Sequence, residues 1–259
     1  MTYKLKIQNF GNFTDGLLNI QETTLLIGGS PSDQNCLTKL ILLFLLAEKN
    51  ILLNKKIESK DFFIQDFFTQ IHNDTIFKDS ELDNCFIKKT KISFCGLNYL
   101  FEVEGKRIWI KRHTSHIYGQ HGIIAIKQPE LNFPLFDQKN IIFALLAKQN
   151  LTVDNILLVA TNSPFILGYF NLAIKAYEIG LHAPENIIKK IKKIVPREAW
   201  LSGKNVAVNE LHNNGKIKNL QKYDNIFISD KNILNKTLNN LNDWYEQLLT
   251  IQYSENALS

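Results

Sequence analysis

From Tyr3 to Phe10 apolar and polar residues alternate, with Leu5, Ile7 and Phe10 on one face, the two-residue period of a half-buried strand. Gly11-Asn12-Phe13 reads as a turn, and Leu17–Ile20 and Thr24–Ile27 as two further short strands. Thr24-Leu25-Leu26-Ile27 is apolar or β-branched at every position, as expected of a strand covered on both faces. Gly28 to Asp33 breaks that strand, and the period becomes helical from Gln34 to about Lys49.

The stretch Asn50–Ser80 is aromatic-rich and partly helical, and Phe62, Phe63, Phe67 and Phe68 read as core or as a partner-facing patch. Cys85–Phe94, Leu97–Glu104 and Arg107–Arg112 are three predicted strands joined by turns at Cys95-Gly96 and Glu104-Gly105. Gly122–Ile126 and Ile156–Ala160 are predicted buried strands, each followed by a helix, at Asp137–Gln149 and at Phe165–Gly180 with Gly180 as its stop. Ile187, Ile188, Ile191 and Ile194 form an apolar helical stripe. A strand at Asn205–Leu211, a turn at Asn213-Asn214-Gly215 and a helix near Leu234–Ile251 complete the chain. Alternating buried strands and helices predict an α/β fold with a mainly parallel core sheet, an N-terminal antiparallel β portion and an inserted β-meander. The whole, residues 1–259, reads as one domain with an inserted segment at about 50–115.

Composition changes this picture little. Of the 259 residues, 45% are hydrophobic and 21% charged, enough apolar surface for a substantial core. The net charge of +5 permits an acidic partner but falls short of the basic stripe of a dedicated DNA binder. Cys36, Cys85 and Cys95 are odd in number and lack CxxC spacing, so they read as reduced thiols of a cytoplasmic protein. Met1–Leu5 has no secretory pattern, and the apolar run Leu40–Ala47 is far shorter than the ~18–20 residues of a membrane span. His113, His116 and His121 lie close together, but their spacing matches no ligand pattern, and no metal site is predicted.

Three segments carry candidate chemistry, each after a predicted buried strand. Leu25-Leu26-Ile27-Gly28 leads through Gly29–Asp33 to Gln34-Asn35-Cys36-Leu37; Ile123–Ile126 leads into Lys127-Gln128-Pro129-Glu130-Leu131-Asn132-Phe133-Pro134; Leu157–Ala160 leads into Thr161-Asn162-Ser163-Pro164. In this order they resemble the P-loop, Walker B and switch-histidine segments of ABC-type ATPase heads of the SMC/OLD-like AAA group. The resemblance covers roughly residues 1–50 and 120–180. It implies a P-loop NTPase-like fold and a nucleotide site at these positions.

The departures fall on the chemistry. Gly28, Pro129, Glu130, Pro134, Ser163 and Pro164 match the pattern. Asp33 stands for the second glycine, Gln34 for the lysine, Asn35 for the Ser/Thr, Lys127 for the metal-binding Asp, Gln128 for the catalytic Glu and Asn162 for the His. Gln34 has no charge for phosphate, Asn35 no hydroxyl for Mg²⁺, and Lys127 puts a cation where a cation must bind. Gln128 cannot take a proton, and the Asp33 carboxylate would repel phosphate. No LSGG-like signature precedes the second segment; Leu201-Ser202-Gly203 lies after it and reads as a turn.

No catalytic residue and no cofactor are therefore predicted: ATP has little to hold it here, and Mg²⁺ nothing. The resemblance implies a pseudo-ATPase, a binding or scaffolding subunit that pairs with itself or with another ATPase-head protein. Other readings stay open. Lys127 could support Mg²⁺-independent nucleotide or anion binding, catalysis could be rebuilt on other groups, and Lys189, Lys190, Lys192, Lys193 and Arg197 could face nucleic acid.

Overall fold

The computed structural model describes residues 2–54, 61–63, 80–112, 122–151, 155–220 and 232–235. The chain opens with a hairpin, β1 (Tyr3–Phe10) and β2 (Phe13–Ile20), then β3 (Thr23–Gly28) and the long helix α1 (Pro31–Asn54). A short strand β4 (Asp61–Phe63) and helix α2 (Ser80–Cys85) precede the meander β5 (Phe86–Cys95), β6 (Tyr99–Glu104) and β7 (Arg107–Arg112). Next come β8 (Ile123–Lys127), α3 (Pro129–Asn132), α4 (Leu135–Asn150), β9 (Ile156–Thr161), α5 (Pro164–Gly180) and α6 (Glu185–Lys192). Two 3₁₀ turns, Arg197–Ala199 and Gly203–Asn205, lead to β10 (Val206–Leu211) and β11 (Lys216–Asn219).

All eleven strands form one sheet, in the order β4-β7-β6-β5-β1-β2-β11-β10-β3-β9-β8. Six of its ten pairings are antiparallel and four parallel. This overturns the expected mainly parallel, P-loop NTPase-like core. The meander is no appendage either, because β5 pairs with β1 from Lys4↔Cys95 to Phe10↔Phe86. The cause lies in the connections. Tight turns join β1 to β2, β5 to β6 to β7 and β10 to β11, and a tight turn can only reverse the chain; parallel neighbours need a longer crossover, and the parallel pairs β3–β9, β8–β9, β3–β10 and β2–β11 are all joined through helical stretches. Strand–helix alternation between Ile123 and Gly180 is real but governs only that end of the sheet.

Two apolar layers sandwich the parallel end. On one side Leu26, Leu158 and Ala160 face α1 through Leu37, Leu40, Ile41 and Phe44. On the other, Leu25, Ile27, Leu157 and Val159 face Ile142 and Leu146 of α4 and Ile166, Phe170 and Ile174 of α5. The alternation explains why β3 and β9 are buried at every residue. β8 was expected to be equally buried, but it is the edge strand: Ile123, Ile124 and Ile126 are half-buried, Ala125 and Lys127 exposed. An apolar run gives a strand's composition, not its rank in the sheet.

The antiparallel end curls over α1. Phe44 stacks on Phe94 with ring centroids 5.1 Å apart and 8° between planes, and meets Phe101 at 5.6 Å. One turn further on, Glu48 is buried, with 4% of its surface exposed. Its Oε2 accepts from the Leu97 N–H (3.3 Å), and its Oε1 accepts from the N–H groups of Asn98 and of Tyr99 (3.2 Å). This one carboxylate satisfies the donors of the β5–β6 turn, and Gly96 is required beside it because a Cβ there would lie 2.3 Å from Oε2. Burial raises the Glu48 pKa above its ordinary 4.5, and the three backbone donors only partly offset the shift.

α5 ends at Gly180 as expected, but not through a left-handed glycine cap: its cap is Leu181 in right-handed helical geometry, and a Cβ on Gly180 would lie 2.0 Å from the Trp200 ring, so packing demands the glycine. Phe62 is half-buried and Phe63 exposed beneath the Arg107 guanidinium. Phe67, Phe68, His113, His116, His121 and nearly all of the helix expected at Leu234–Ile251 lie outside the described residues. Among the described residues no helix is long and apolar enough to cross a membrane.

Phe44→Ala should destabilise the chain by about 3–5 kcal/mol, measured by urea unfolding. Glu48 should impose a pH slope. Its raised folded-state pKa means that the folded chain holds this proton more tightly than the unfolded chain, so stability falls as pH rises above 4.5 through the shifted pKa. Glu48→Gln should flatten that part of the stability–pH curve.

Candidate functional site

The parallel strands end side by side. The register sets Gly28 beside Leu211, Ile27 beside Thr161, and Lys127 beside Ala160. The three segments singled out in the sequence therefore meet in one row at the carboxyl ends of β3, β9 and β8. Each then turns into a helix, and what the junctions do is local chemistry.

The β3–α1 junction is shorter than expected. Only Gly29 and Ser30 separate strand from helix, and Ser32 and Asp33 belong to α1 rather than to a loop. Gly28 (φ +74°) and Gly29 (φ +72°) are left-handed, and a Cβ on Gly28 would come within 2.8 Å of the Leu211 carbonyl oxygen. Ser30-Pro31-Ser32-Asp33 is a capping box. The Asp33 N–H donates to Ser30 Oγ (3.1 Å), while the Ser30 N–H and hydroxyl donate to Asp33 Oδ2 (3.3 and 2.7 Å). Asn12 Nδ2, from the β1–β2 turn, donates to Asp33 Oδ1 (2.8 Å). The helix start thus meets the Asp33 N–H with the Ser30 hydroxyl and the Ser30 N–H with the Asp33 carboxylate. Pro31 has no N–H, that of Asp33 is used, and that of Gln34 donates to the Ser30 carbonyl (3.0 Å).

Gln34 closes the space behind. It is 1% exposed, and its Nε2 donates to the Gly28 carbonyl (2.9 Å), the Thr161 carbonyl (3.2 Å) and Asn162 Oδ1 (3.0 Å). Three acceptors around one amide nitrogen fix its orientation. Asn35, next on α1, accepts from Lys127 Nζ. The cation that replaces the expected acid is thereby engaged by the residue that replaces the expected hydroxyl.

Glu130 ties the other two junctions together. Its Oε2 accepts from Thr161 Oγ1 (2.7 Å) and its Oε1 from the Asn162 N–H (2.8 Å). Asn162 Nδ2 reaches the Gly29 carbonyl (3.4 Å). Ser163 caps α5, its side chain accepting from the Ile166 N–H (3.5 Å), with Pro164 at the first helical position. Gln128 sits between β8 and α3 in the left-handed region (φ 46°, ψ 57°), with its N–H donating to the Ala160 carbonyl (2.7 Å). Such a conformation is unfavourable for a non-glycine residue, and doubly so before a proline.

Gly28, Asp33, Gln34, Asn35, Lys127, Gln128 and Asn162 are thus brought together, with Glu130, which fits the second segment's pattern, and with Ser30, Asn12 and Thr161 as partners to which the sequence reading gave no role. The Ser-x-x-Asp spacing and the Glu after Pro129 were legible signals; Asn12, from a turn distant in the chain, was not. The basic residues lie elsewhere. Lys189, Lys190, Lys192 and Lys193 are exposed on and just after α6, Lys192 Nζ is 4.0 Å from Glu185, and Arg197 lies over the Trp200 ring at 6.0 Å. Leu131 (73% exposed) in α3, Phe133 (40%) just after it and Phe165 (52%) at the start of α5 stand on the segments that follow β8 and β9.

No family model and no curated protein matches the chain. Among solved structures it has a distant likeness to the recombination mediator protein RecF, described as RecF-ATPrS in the RecFOR pathway. The identity is 11%, the TM-score 0.24, and the match covers 79% of this chain and 52% of that one. The chain spans about half the length of that structure, and a superposition of this quality settles neither fold nor function.

Gln34→Leu should leave the Gly28 and Thr161 carbonyls without this donor and cost about 1–3 kcal/mol in urea unfolding. Gln128→Gly should do the reverse, adding about 1 kcal/mol by releasing the left-handed strain, while Gly28→Ala destabilises.

Proposed function

We propose that the chain is a non-catalytic binding or scaffolding subunit, a pseudo-ATPase whose working surface is protein-binding. The observation that carries this reading is the Ser30–Asp33 capping box. A helix start binds phosphate when its amide donors and its positive dipole end are free. Here the Asp33 N–H is taken by Ser30 Oγ and the Ser30 N–H by the Asp33 carboxylate, whose negative charge at the helix start would repel a phosphate.

The neighbouring groups support the same reading. Gln34 spends its amide on backbone and Asn162 acceptors, and Lys127, the cation that could hold an anion without Mg²⁺, is engaged by Asn35. Glu130 offers a carboxyl group that could serve as a base, but both of its oxygens accept hydrogen bonds from the β9–α5 junction. A carboxylate held in that way positions structure and is poorly placed to take a proton from water.

The partner reading rests on what surrounds this row. β8 is an edge strand with one side unpaired among the described residues, and Leu131, Phe133 and Phe165 expose apolar surface at the same end of the sheet. A protein that covers the edge and these side chains suits that surface, either a second copy of the chain or another ATPase-head protein.

The test combines turnover with association. Purified chain with Mg²⁺ and ATP should release phosphate no faster than a buffer blank; turnover that disappears in Gln128→Ala would sink the non-catalytic reading. In sedimentation velocity the chain should associate as its concentration rises, and Leu131→Glu with Phe165→Glu should return it to monomer. A chain that stays monomeric at every concentration rules out self-pairing.

A further inference from the structure

Cys36 and Cys85 are 49 residues apart in the chain, yet their Sγ atoms lie 2.7 Å from one another. Both are thiols. That separation is only about 0.7 Å longer than a disulfide bond. Nothing in the sequence spacing marks the pair, and the site at the strand ends does not use it.

The two sulfurs are held from firmly placed backbones. Cys36 lies in α1, directly before the fully buried Leu37. Cys85 ends α2, and its carbonyl accepts from the Gly11 N–H (3.1 Å) in the β1–β2 turn. The next residue, Phe86, is buried edge-on against Phe10, with centroids 5.1 Å apart. Closing the bond therefore needs little movement of either chain segment. The pair is also reachable. Both cysteines are half-buried, Gly11 and Asn12 are exposed, and Gly11 carries no side chain over the sulfurs; a Cβ there would lie 3.2 Å from Cys85 Sγ and 3.8 Å from Cys36 Sγ.

We propose that Cys36 and Cys85 form a dithiol site that closes to an intramolecular disulfide by exchange with a small-molecule disulfide. The two thiols have different parts. The hydrogen bond to Cys85, then burial, then repulsion from Cys85 and Asp33 hold the proton on Cys36 far above the ordinary thiol range, with Lys39 opposing. Cys85, the sulfur nearer the uncovered surface at Gly11, is the attacking group. It gives its proton to solvent, and its thiolate attacks one sulfur of the reagent, forming a mixed disulfide as the first reagent thiolate leaves and is protonated. Cys36 then gives up its proton and attacks Cys85 Sγ, expelling the second reagent thiolate, which is protonated in turn. One S–S bond breaks in the reagent and one forms in the protein. The two cysteines lose two electrons, and the reagent is reduced to two thiols.

The bond would fix the first turns of α1, where Asp33, Gln34 and Asn35 sit, to the α2–β5 junction. Its formation would make the mobility of the candidate site depend on thiol redox state. This does not require the binding function proposed above.

The experiment uses the full chain carrying Cys95→Ser, which removes the remaining thiol, since Cys95 is exposed and would react by itself. The reduced, folded protein is treated with oxidised glutathione, alkylated, and analysed by intact mass and by peptide mapping. The expected result is a product that takes no alkyl label, carries no glutathione, yields a peptide linking Cys36 to Cys85, melts at a higher temperature than the reduced form, and recovers both labels after dithiothreitol. In Cys36→Ser, Cys85 should stop at the glutathione adduct. Alkylation of both thiols after the treatment, a stable adduct on each, or a link that forms only in urea would overturn the proposal.

Discussion

β3 is the strand on which everything else is aligned. It pairs in parallel with β10 along one edge and with β9 along the other, and it is buried on both faces. A strand so enclosed has no freedom of register, because a one-residue slip would exchange the side chains facing α1 with those facing α4 and α5. Its end is therefore fixed in space, and Gly28 and Gly29 turn the chain sharply off it beside Leu211. α1 must start where that turn points. The packing of Phe44, the carboxylate of Glu48 on the β5–β6 turn and the meeting of Cys36 with Cys85 all follow from the direction given to one helix.

The same constraint explains the character of the candidate site. Three strand ends in a row leave carbonyls at the sheet's carboxyl edge and amide donors at the helix starts, and buried groups of both kinds must find partners. Gln34 takes the carbonyls, Asp33 and Ser30 take the amides, and Glu130 takes the donors of Thr161 and Asn162. A nucleotide-binding site leaves such groups for its ligand. Here side chains answer many of them, and the same bonds hold the strand ends to the helix starts.

Much of this was legible along the chain. β1, β3, β9, β10 and the meander were marked by their periodicity, and their ends fell within a few residues of expectation. All six prolines, Pro31, Pro129, Pro134, Pro164, Pro184 and Pro196, stand at the start of a helix or 3₁₀ turn, where a fixed φ and a missing N–H cost least. Ser163-Pro164 is a helix-start signal in its own right, as is Ser30-Pro31-Ser32-Asp33. That second signal also fits the outline of a degenerate phosphate loop, because in both cases a strand and a glycine come before the polar residues and a helix after them. The motif resemblance lay in the order of the segments, and order alone does not distinguish an open amide cradle from a capped one.

The sequence by itself determined most of the strands and helices and the double burial of β3 and β9, because periodicity and turn chemistry act within a few residues. Only the tertiary structure decided that one mixed sheet joins the meander to the parallel strands, since strand partners are chosen by contacts between distant segments. It also decided that β8 lies at the edge, that Asn12 reaches Asp33, that Glu48 serves a turn 49–51 residues away, and that two cysteines in unrelated segments share a contact. Each depends on which surfaces come together when the chain closes, and a local pattern carries no record of that.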